Sequence, residues 1–316
     1  MKRVVRRLLE LLLFILILSF ISFVVMKLAP GDAVREILRS DDVALDEGAI
    51  QRQREAMGLN DPLAVQYGEW LARLVQLDLG QSYMTHRPVT EELFSRLPAT
   101  LMLTLSSLVV MVGIALPFGM AAAVRPDRLM DRLSRIVAIL GTSIPSFWLG
   151  LLLIEGLAVR AGWLPSMGTG TPRHLVLPAL TLGLTMAAVY MRLIRSSMHD
   201  SLEQEFVLGA KARGLRSANI LFRYALRHAL SPVLAMLGVS MGSLLGGTVV
   251  VEVLFAYPGM GKLVIDAIQS RDYPIIQGYM VLTALMITLC NMATDGIQLR
   301  LNPELRLKEA SREKNS

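Results

Sequence analysis

Six long apolar stretches decide most of what this 316-residue chain is able to fold into. They cover residues 8–28, 97–124, 133–159, 175–194, 229–255 and 278–299. About 20 mostly apolar residues carry a helix across the hydrocarbon core of a bilayer. Unpaired backbone groups are too costly there for anything but helices and closed barrels. The ten-residue alternating segments of a barrel are not found in the sequence. The expectation is therefore an all-α membrane protein with six transmembrane helices. Composition agrees: 53% of residues are hydrophobic, 18% are charged, and the mean hydropathy is +0.50. A soluble domain carries more charge than this.

The first stretch begins like a secretory signal, with Lys2, Arg3, Arg6 and Arg7 ahead of an apolar run. The run is too long for a signal's apolar region, and no A-x-A-like cleavage site follows it. It reads as an uncleaved first span. The net charge of +6 follows topology rather than nucleic-acid binding. Arg125, Arg128, Arg132 and Arg135 surround the connection between spans 2 and 3. Arg192, Arg195, Lys211, Arg213, Arg216, Arg223 and Arg227 lie between spans 4 and 5, and Arg300, Arg306, Lys308, Arg312 and Lys314 form the tail. The short loops of opposite parity hold only Arg160, Arg173, Lys262 and Arg271. Excess Lys and Arg mark cytoplasmic loops, which places both termini in the cytoplasm. The one cysteine, Cys290, falls in span 6 and reads as a buried apolar thiol.

Three regions follow. Residues 1–96 hold the first span and a long external loop, 97–300 a five-helix core, and 301–316 a cytoplasmic tail. The external loop, residues 30–96, carries 12 acidic and 7 basic residues and reads as a small folded cap of helices. Asp61 is expected as an N-cap with Pro62 at the first helical position. Leu63, Tyr67, Trp70, Leu71, Leu74 and Leu77 then follow at helical spacing. Thr90, Glu91 and Glu92 start the helix that runs into span 2. Trp163, just beyond span 3, suits an interfacial belt.

The motifs argue against chemistry in this chain. "AYPGMGKL" (256–263) has Ala256 where a phosphate loop needs its first Gly and Leu263 where it needs Ser or Thr. Neither H-E-x-x-H nor G-x-S-x-G occurs, and the four histidines are scattered. No cofactor or metal is expected, and any energy input comes from another chain. Gly238, Gly242 and Gly246 share one face of span 5, where small residues let helices approach closely; a flexible or pore-lining role is the other reading. Glu252, near the end of that span, is either a structural group that reaches water beside the Pro258 turn or part of the transport path. Glu155 and Asp295 are further acids within spans. The candidate path or gate is thus Glu252, Gly246, Gly242 and Pro258.

One cytoplasmic stretch stands out. "EFVLGAKARGLRSANILFRYALRHALSPVL" (205–234) is basic and amphipathic between two oily spans. Phe206, Val207, Leu208, Ala210 and Leu215 form its apolar side, Lys211, Arg213 and Arg216 face elsewhere, and Gly214 breaks the helix. It is either a helix lying on the lipid surface or a lever that a soluble partner grips. On the lever reading Ala210 faces that partner.

Here the chain resembles the permease subunits of bacterial binding-protein-dependent ABC importers, which carry a cytoplasmic E-A-A-x-x-x-G loop that docks on the ATPase. "LGAKARG" keeps Ala210 and Gly214, but Leu208 and Gly209 replace the Glu and first Ala. That departure is similar to the dipeptide, oligopeptide and nickel branch. So are "KLAPGD", "GLNDPLAVQYGEWL", "RPVTEELFSRLPATLMLT", "IPSFWLG", "LPALTLG", "GGTVVVEVLFAYPGMGKLVIDAIQSRDYPIIQG" and "LNPELR", which look like its B-type permease. The resemblance implies a type I importer fold in the bacterial inner membrane. It implies a heterodimer with a second permease, two cytoplasmic ATPases and a periplasmic or extracellular solute-binding protein, with lipid around the spans. The coupling loop, within about 197–229, then carries Phe206, Ala210, Lys211, Arg213, Gly214 and Leu215. "GWLPSMGTGTPRHLVLPALTLG" and "LDLGQSYMTHRPV" look closest to the nickel permeases of the branch, so the resemblance implies nickel or a metal chelate, to which Met84, His86, Met167 and His174 could be ligands, with a short peptide such as glutathione as the alternative. A self-contained secondary transporter would need coupling charges at the midplane. An intramembrane enzyme would need a placed nucleophile or metal set. Neither signature is present in the sequence.

Overall fold

Each of the six apolar stretches lies on helical structure. The computed structural model describes residues 2–28, 34–35 and 47–301. Its helices are α1 (Lys2–Leu28), α2 (Glu47–Ala56), α3 (Leu63–Val75), α4 (Val89–Val124), α5 (Leu129–Ser143) and α6 (Ser146–Leu153). They continue with α7 (Arg173–Leu202), α8 (Glu205–Ala212), α9 (Ser217–Asn219), α10 (Leu226–Leu254), α11 (Met260–Ser270) and α12 (Tyr273–Leu301). Wide π-helical turns, Ile154–Arg160 and Ile220–Ala225, extend α6 and join α9 to α10. Among the described residues there is no strand, only an isolated bridge between Gln81 and Pro88. Four helices, Val89–Val124, Arg173–Leu202, Ser217–Leu254 and Tyr273–Gln298, are long and apolar enough to cross a membrane, again among the described residues. Leu11–Val25 is the apolar part of α1.

The expected third span is not one straight helix. It breaks at 144–145 into α5 and the α6 segment, which meet at 104°. The cause is Pro145. It supplies no backbone N–H, and it pushes the preceding residue out of the helical region. Ile144 accordingly sits at φ −89°, ψ 121°.

The chain divides into two compact units. One comprises residues 101–257 and 289–316. Its core joins Met111 and Ala115 of α4, Ala187, Tyr190, Met191, Ile194 and Met198 of α7, and Ala229 and Val233 of α10. Small residues set the helix crossings. A Cβ on Gly183 would lie 2.6 Å from Val110 and 2.9 Å from the Ser107 carbonyl; one on Gly119 would lie 2.9 Å from the Met191 carbonyl. Gly141 meets Ala188, and Gly150 meets Leu254, at similarly close range. Hydrocarbon gives helices no hydrophobic reason to associate, so close backbone approach supplies the packing. Outward residues such as Leu105, Val109 and Ile139 are exposed apolar groups, as lipid-facing positions are.

The expected glycine face of α10 divides. A Cβ on Gly238 would lie 2.7 Å from Thr294 Oγ1, so α10 packs closely on α12 there. Gly246 has open space around it, which removes it from that packing face.

The other unit comprises residues 1–100 and 258–288. α3 lies against α1: the Tyr67 hydroxyl donates to the Leu16 carbonyl at 2.9 Å, and its ring packs edge-on against Phe20 and Phe23 and stacks on Trp70. Pro62, not Asp61, occupies the N-cap position of α3, with no side-chain cap bond. Leu77 lies beyond the helix at φ +60° and is exposed, so the apolar stripe ends at Leu74. Val89 and Leu93 of α4 pack on Val264 and Ala267 of α11 and on Ile275 and Ile276 of α12. The buried Asp272 carboxylate accepts from Ser82 Oγ and from the Tyr83 N–H at 3.1 Å, which pins the 82–84 loop to the start of α12. Burial first, and then Asp272, push the Tyr83 hydroxyl up to about 12.

Candidate functional site

The 197–229 segment folds on itself before it offers any surface. α8 is only eight residues long, too short to persist alone in water. A small core holds it: Val207 and Ala210 pack with Ile220 and Leu215. The buried Ser201 Oγ donates to the Ala225 carbonyl at 2.9 Å, tying the end of α7 to the start of α10. The Phe206 ring lies 5.5 Å from the His228 imidazole.

The end of α8 is a two-bond glycine stop. Gly214 sits at φ +73°, its N–H donates to the Lys211 carbonyl at 2.9 Å, and the Leu215 N–H reaches the Ala210 carbonyl at 3.3 Å. This is the Schellman pattern, in which the residue two past the last cap also makes an apolar contact back onto the helix. Leu215 makes that contact through the small core. The expectation that Gly214 ends the helix holds.

The expectation for Ala210 fails. Its side chain is completely buried against its own chain, so it faces no partner. A methyl group at that position lets α8 sit down on Ile220; a longer side chain would lift it off. The outward surface is instead Phe206, Leu208, Gly209, Lys211 and Arg213, all exposed, with Arg213 Nε donating to the Gly209 carbonyl. Leu208, 58% exposed, is the most prominent apolar group there.

Near this segment lies an ionic cluster not singled out from the sequence. Asp131, at the start of α5, is completely buried. It accepts from Arg195 Nε and from Arg195 Nη2 at 3.0 Å, a two-bond fork from α7. It also accepts from Arg135 Nη2 and from the Asp127 N–H, each at 3.0 Å. Arg135 reaches Asp127 as well, at 3.1 Å. Asp127 and Arg135 flank Asp131 at helical spacing, which is a readable hint. Arg195 is 64 residues away and no spacing rule reaches it.

The residues expected to form a path lie apart in burial. Glu252 is completely buried and does not reach water. Burial first, and then the Glu252 carboxylate, raise the Tyr257 hydroxyl above its ordinary value. Gly242 is half-buried, Gly246 exposed, and Pro258 begins the other unit. Glu155 forms an exposed ion pair with Arg160 at 2.9 Å. His174 Nδ1 lies 2.9 Å from Thr171 Oγ1. Among the described residues, no three or more His, Cys, Asp or Glu side chains gather in a way that would hold a metal ion.

Residues 115–307 match the family described as binding-protein-dependent transport system inner membrane component. Residues 1–104 match the N-terminal region of such membrane components. The glutathione transport system permease protein GsiC of Escherichia coli K12 is 39% identical over 305 residues, spanning 96% of this chain and 99% of the relative. The protein of that name from Salmonella typhimurium LT2 matches to the same extent. Among solved structures, the inward-facing MetNI methionine ABC transporter matches with a TM-score of 0.57 at 20% identity, over 67% of this chain and 97% of that one. An amino acid ABC transporter crystallised with histidines matches with a TM-score of 0.50 at 18% identity, over 68% of this chain and 94% of that one.

Proposed function

The chain belongs to the family of inner membrane components of binding-protein-dependent transport systems, and we propose that it is the permease subunit through which such an importer moves short peptides. Its fold is that of a type I ABC importer permease. The observation that carries the choice of solute is the end-to-end likeness to permeases named for glutathione transport. In a strain lacking this chain, uptake of labelled glutathione or a similar tripeptide is expected to fall to background while nickel uptake stays unchanged. Loss of nickel uptake with peptide uptake intact would overturn the assignment.

Within the importer, this chain pairs with a second permease. Two separate ATPase subunits grip the outward face of α8, and a solute-binding protein delivers from outside. The small core under α8 supports this reading, because it makes the helix a rigid handle fixed to α7 and α10. Closure of the ATPases then moves those helices as bodies. The chain itself makes and breaks no covalent bond.

Both termini lie in the cytoplasm and the loop from Pro30 to Arg96 lies outside. A cysteine replacing Gln53, in a Cys290→Ala background, is expected to react with an impermeant thiol reagent added to spheroplasts. Labelling only after lysis would reverse the orientation.

A further inference from the structure

The unit built from residues 1–100 and 258–288 contains a cavity of about 530 Å³. That is within the range of about 300–1,000 Å³ typical of small-molecule sites. Elements far apart in the chain build it: α1 contributes Phe23, α3 Trp70 and Arg73, the 78–86 loop Tyr83, and α12 Tyr273 and Gln277. Asp272 holds that loop in place through Ser82 and the Tyr83 N–H. The Tyr83 and Tyr273 rings meet edge to face, with centroids 6.2 Å apart.

Gln277 is the telling residue. It is 4% exposed and lines the cavity. Its amide group opens onto the cavity and is not sealed in the core. A guest that displaces water from such an amide loses affinity unless it offers a hydrogen bond in return. At the rim, Arg73 and Glu69 stand one turn apart on α3, paired only loosely at 3.9 Å and each more than half exposed. Such a surface pair contributes little and opens readily. The cavity therefore offers aromatic walls, one accessible amide and a separable pair of opposite charges.

We propose that this cavity binds a short peptide with a free C-terminal carboxylate, Arg73 taking the carboxylate, Gln277 a backbone amide, and Glu69 the ammonium group. This rests on the reading of the solute as a short peptide. A polyanion would be repelled by Glu69 and Asp78, and a purely apolar guest would leave Gln277 unsatisfied. Guanidinium–carboxylate bonds are among the strongest neutral-pH contacts available to such a ligand.

The test is equilibrium binding of radiolabelled glutathione to the purified permease pair with its ATPases in nanodiscs, without solute-binding protein. Saturable binding is expected, competed by unlabelled glutathione and at least about tenfold less well by its glycine ethyl ester, which masks the carboxylate. Gln277→Leu and Arg73→Gln are each expected to weaken binding about tenfold. Arg73 is exposed, so its variant reports on binding even if Gln277→Leu folds poorly. Absence of saturable binding, equal competition by the ester, or wild-type affinity in Arg73→Gln would overturn the site. If cells still take up glutathione while the purified pair shows no binding, the site fails and the import reading stands. If cells take up nickel and no peptide, the import reading fails and the site with it.

Discussion

Asp131→Asn is expected to lower the thermal stability of the protein markedly and to reduce the folded fraction recovered from the membrane. Asp131 is completely buried and is the acceptor for two guanidinium groups and one backbone N–H. Neutralising it leaves Arg195, whose side chain is only a quarter exposed, against an amide that partly presents donors to donors. Breaking a buried pair by removing one partner costs about 3–5 kcal/mol. Water reaching Arg195 and Arg135 places the effect toward the lower end. Against a typical stability of about 5–15 kcal/mol this is a large loss. Arg195→Lys keeps a charge but loses the two-bond fork, so it should fall between wild type and Arg195→Met. Fluorescence-detected gel filtration of detergent extracts measures the folded fraction. Wild-type levels and thermal stability in Asp131→Asn would mean that the cluster does not hold α5 to α7.

The second large effect concerns the α8 handle. Gly214→Val forces a β-branched residue into φ +73°, a region such side chains strongly avoid. An incompatible substitution of this kind costs more than about 1 kcal/mol locally. The two N–H bonds that residues 214 and 215 donate to the Lys211 and Ala210 carbonyls then open, Leu215 leaves the small core, and α8 loses its fixed end. The spans do not depend on this turn, so the chain should still insert. Peptide uptake should fall at least about tenfold while the protein level holds. Leu208→Asp acts differently. It changes an outward group that touches little of its own chain, so the fold should shift by no more than about 0.5 kcal/mol. A carboxylate desolvated in the grip of a partner costs far more.

The apolar stretches made the helices legible because length and hydropathy are local properties. The Gly214 stop was legible for the same reason: a lone glycine after an amphipathic turn has a local meaning. The bend at Pro145 was also written in the sequence, but an apolar run on both sides of it reads as one span unless the proline is weighed first. Ala210 was misread because α8 has apolar residues on both sides, Phe206 and Leu208 outward and Val207 and Ala210 inward. Which side is covered depends on Ile220, beyond the glycine turn. Asp131 illustrates a harder limit, since its partner Arg195 comes from another helix. The cavity around Gln277 draws on α1, α3, a loop and α12, and no spacing within one element announces it.

Coupling through this chain depends on whether the outward face of α8 meets the ATPases. The deciding measurement is ATP hydrolysed per peptide imported, in liposomes holding the purified complex of wild type or Leu208→Asp with its solute-binding protein. The expected result is a folded Leu208→Asp permease that either loses its ATPases on purification or hydrolyses ATP without matching uptake. A Leu208→Asp complex that keeps its ATPases and imports the wild-type number of peptides per ATP would contradict it.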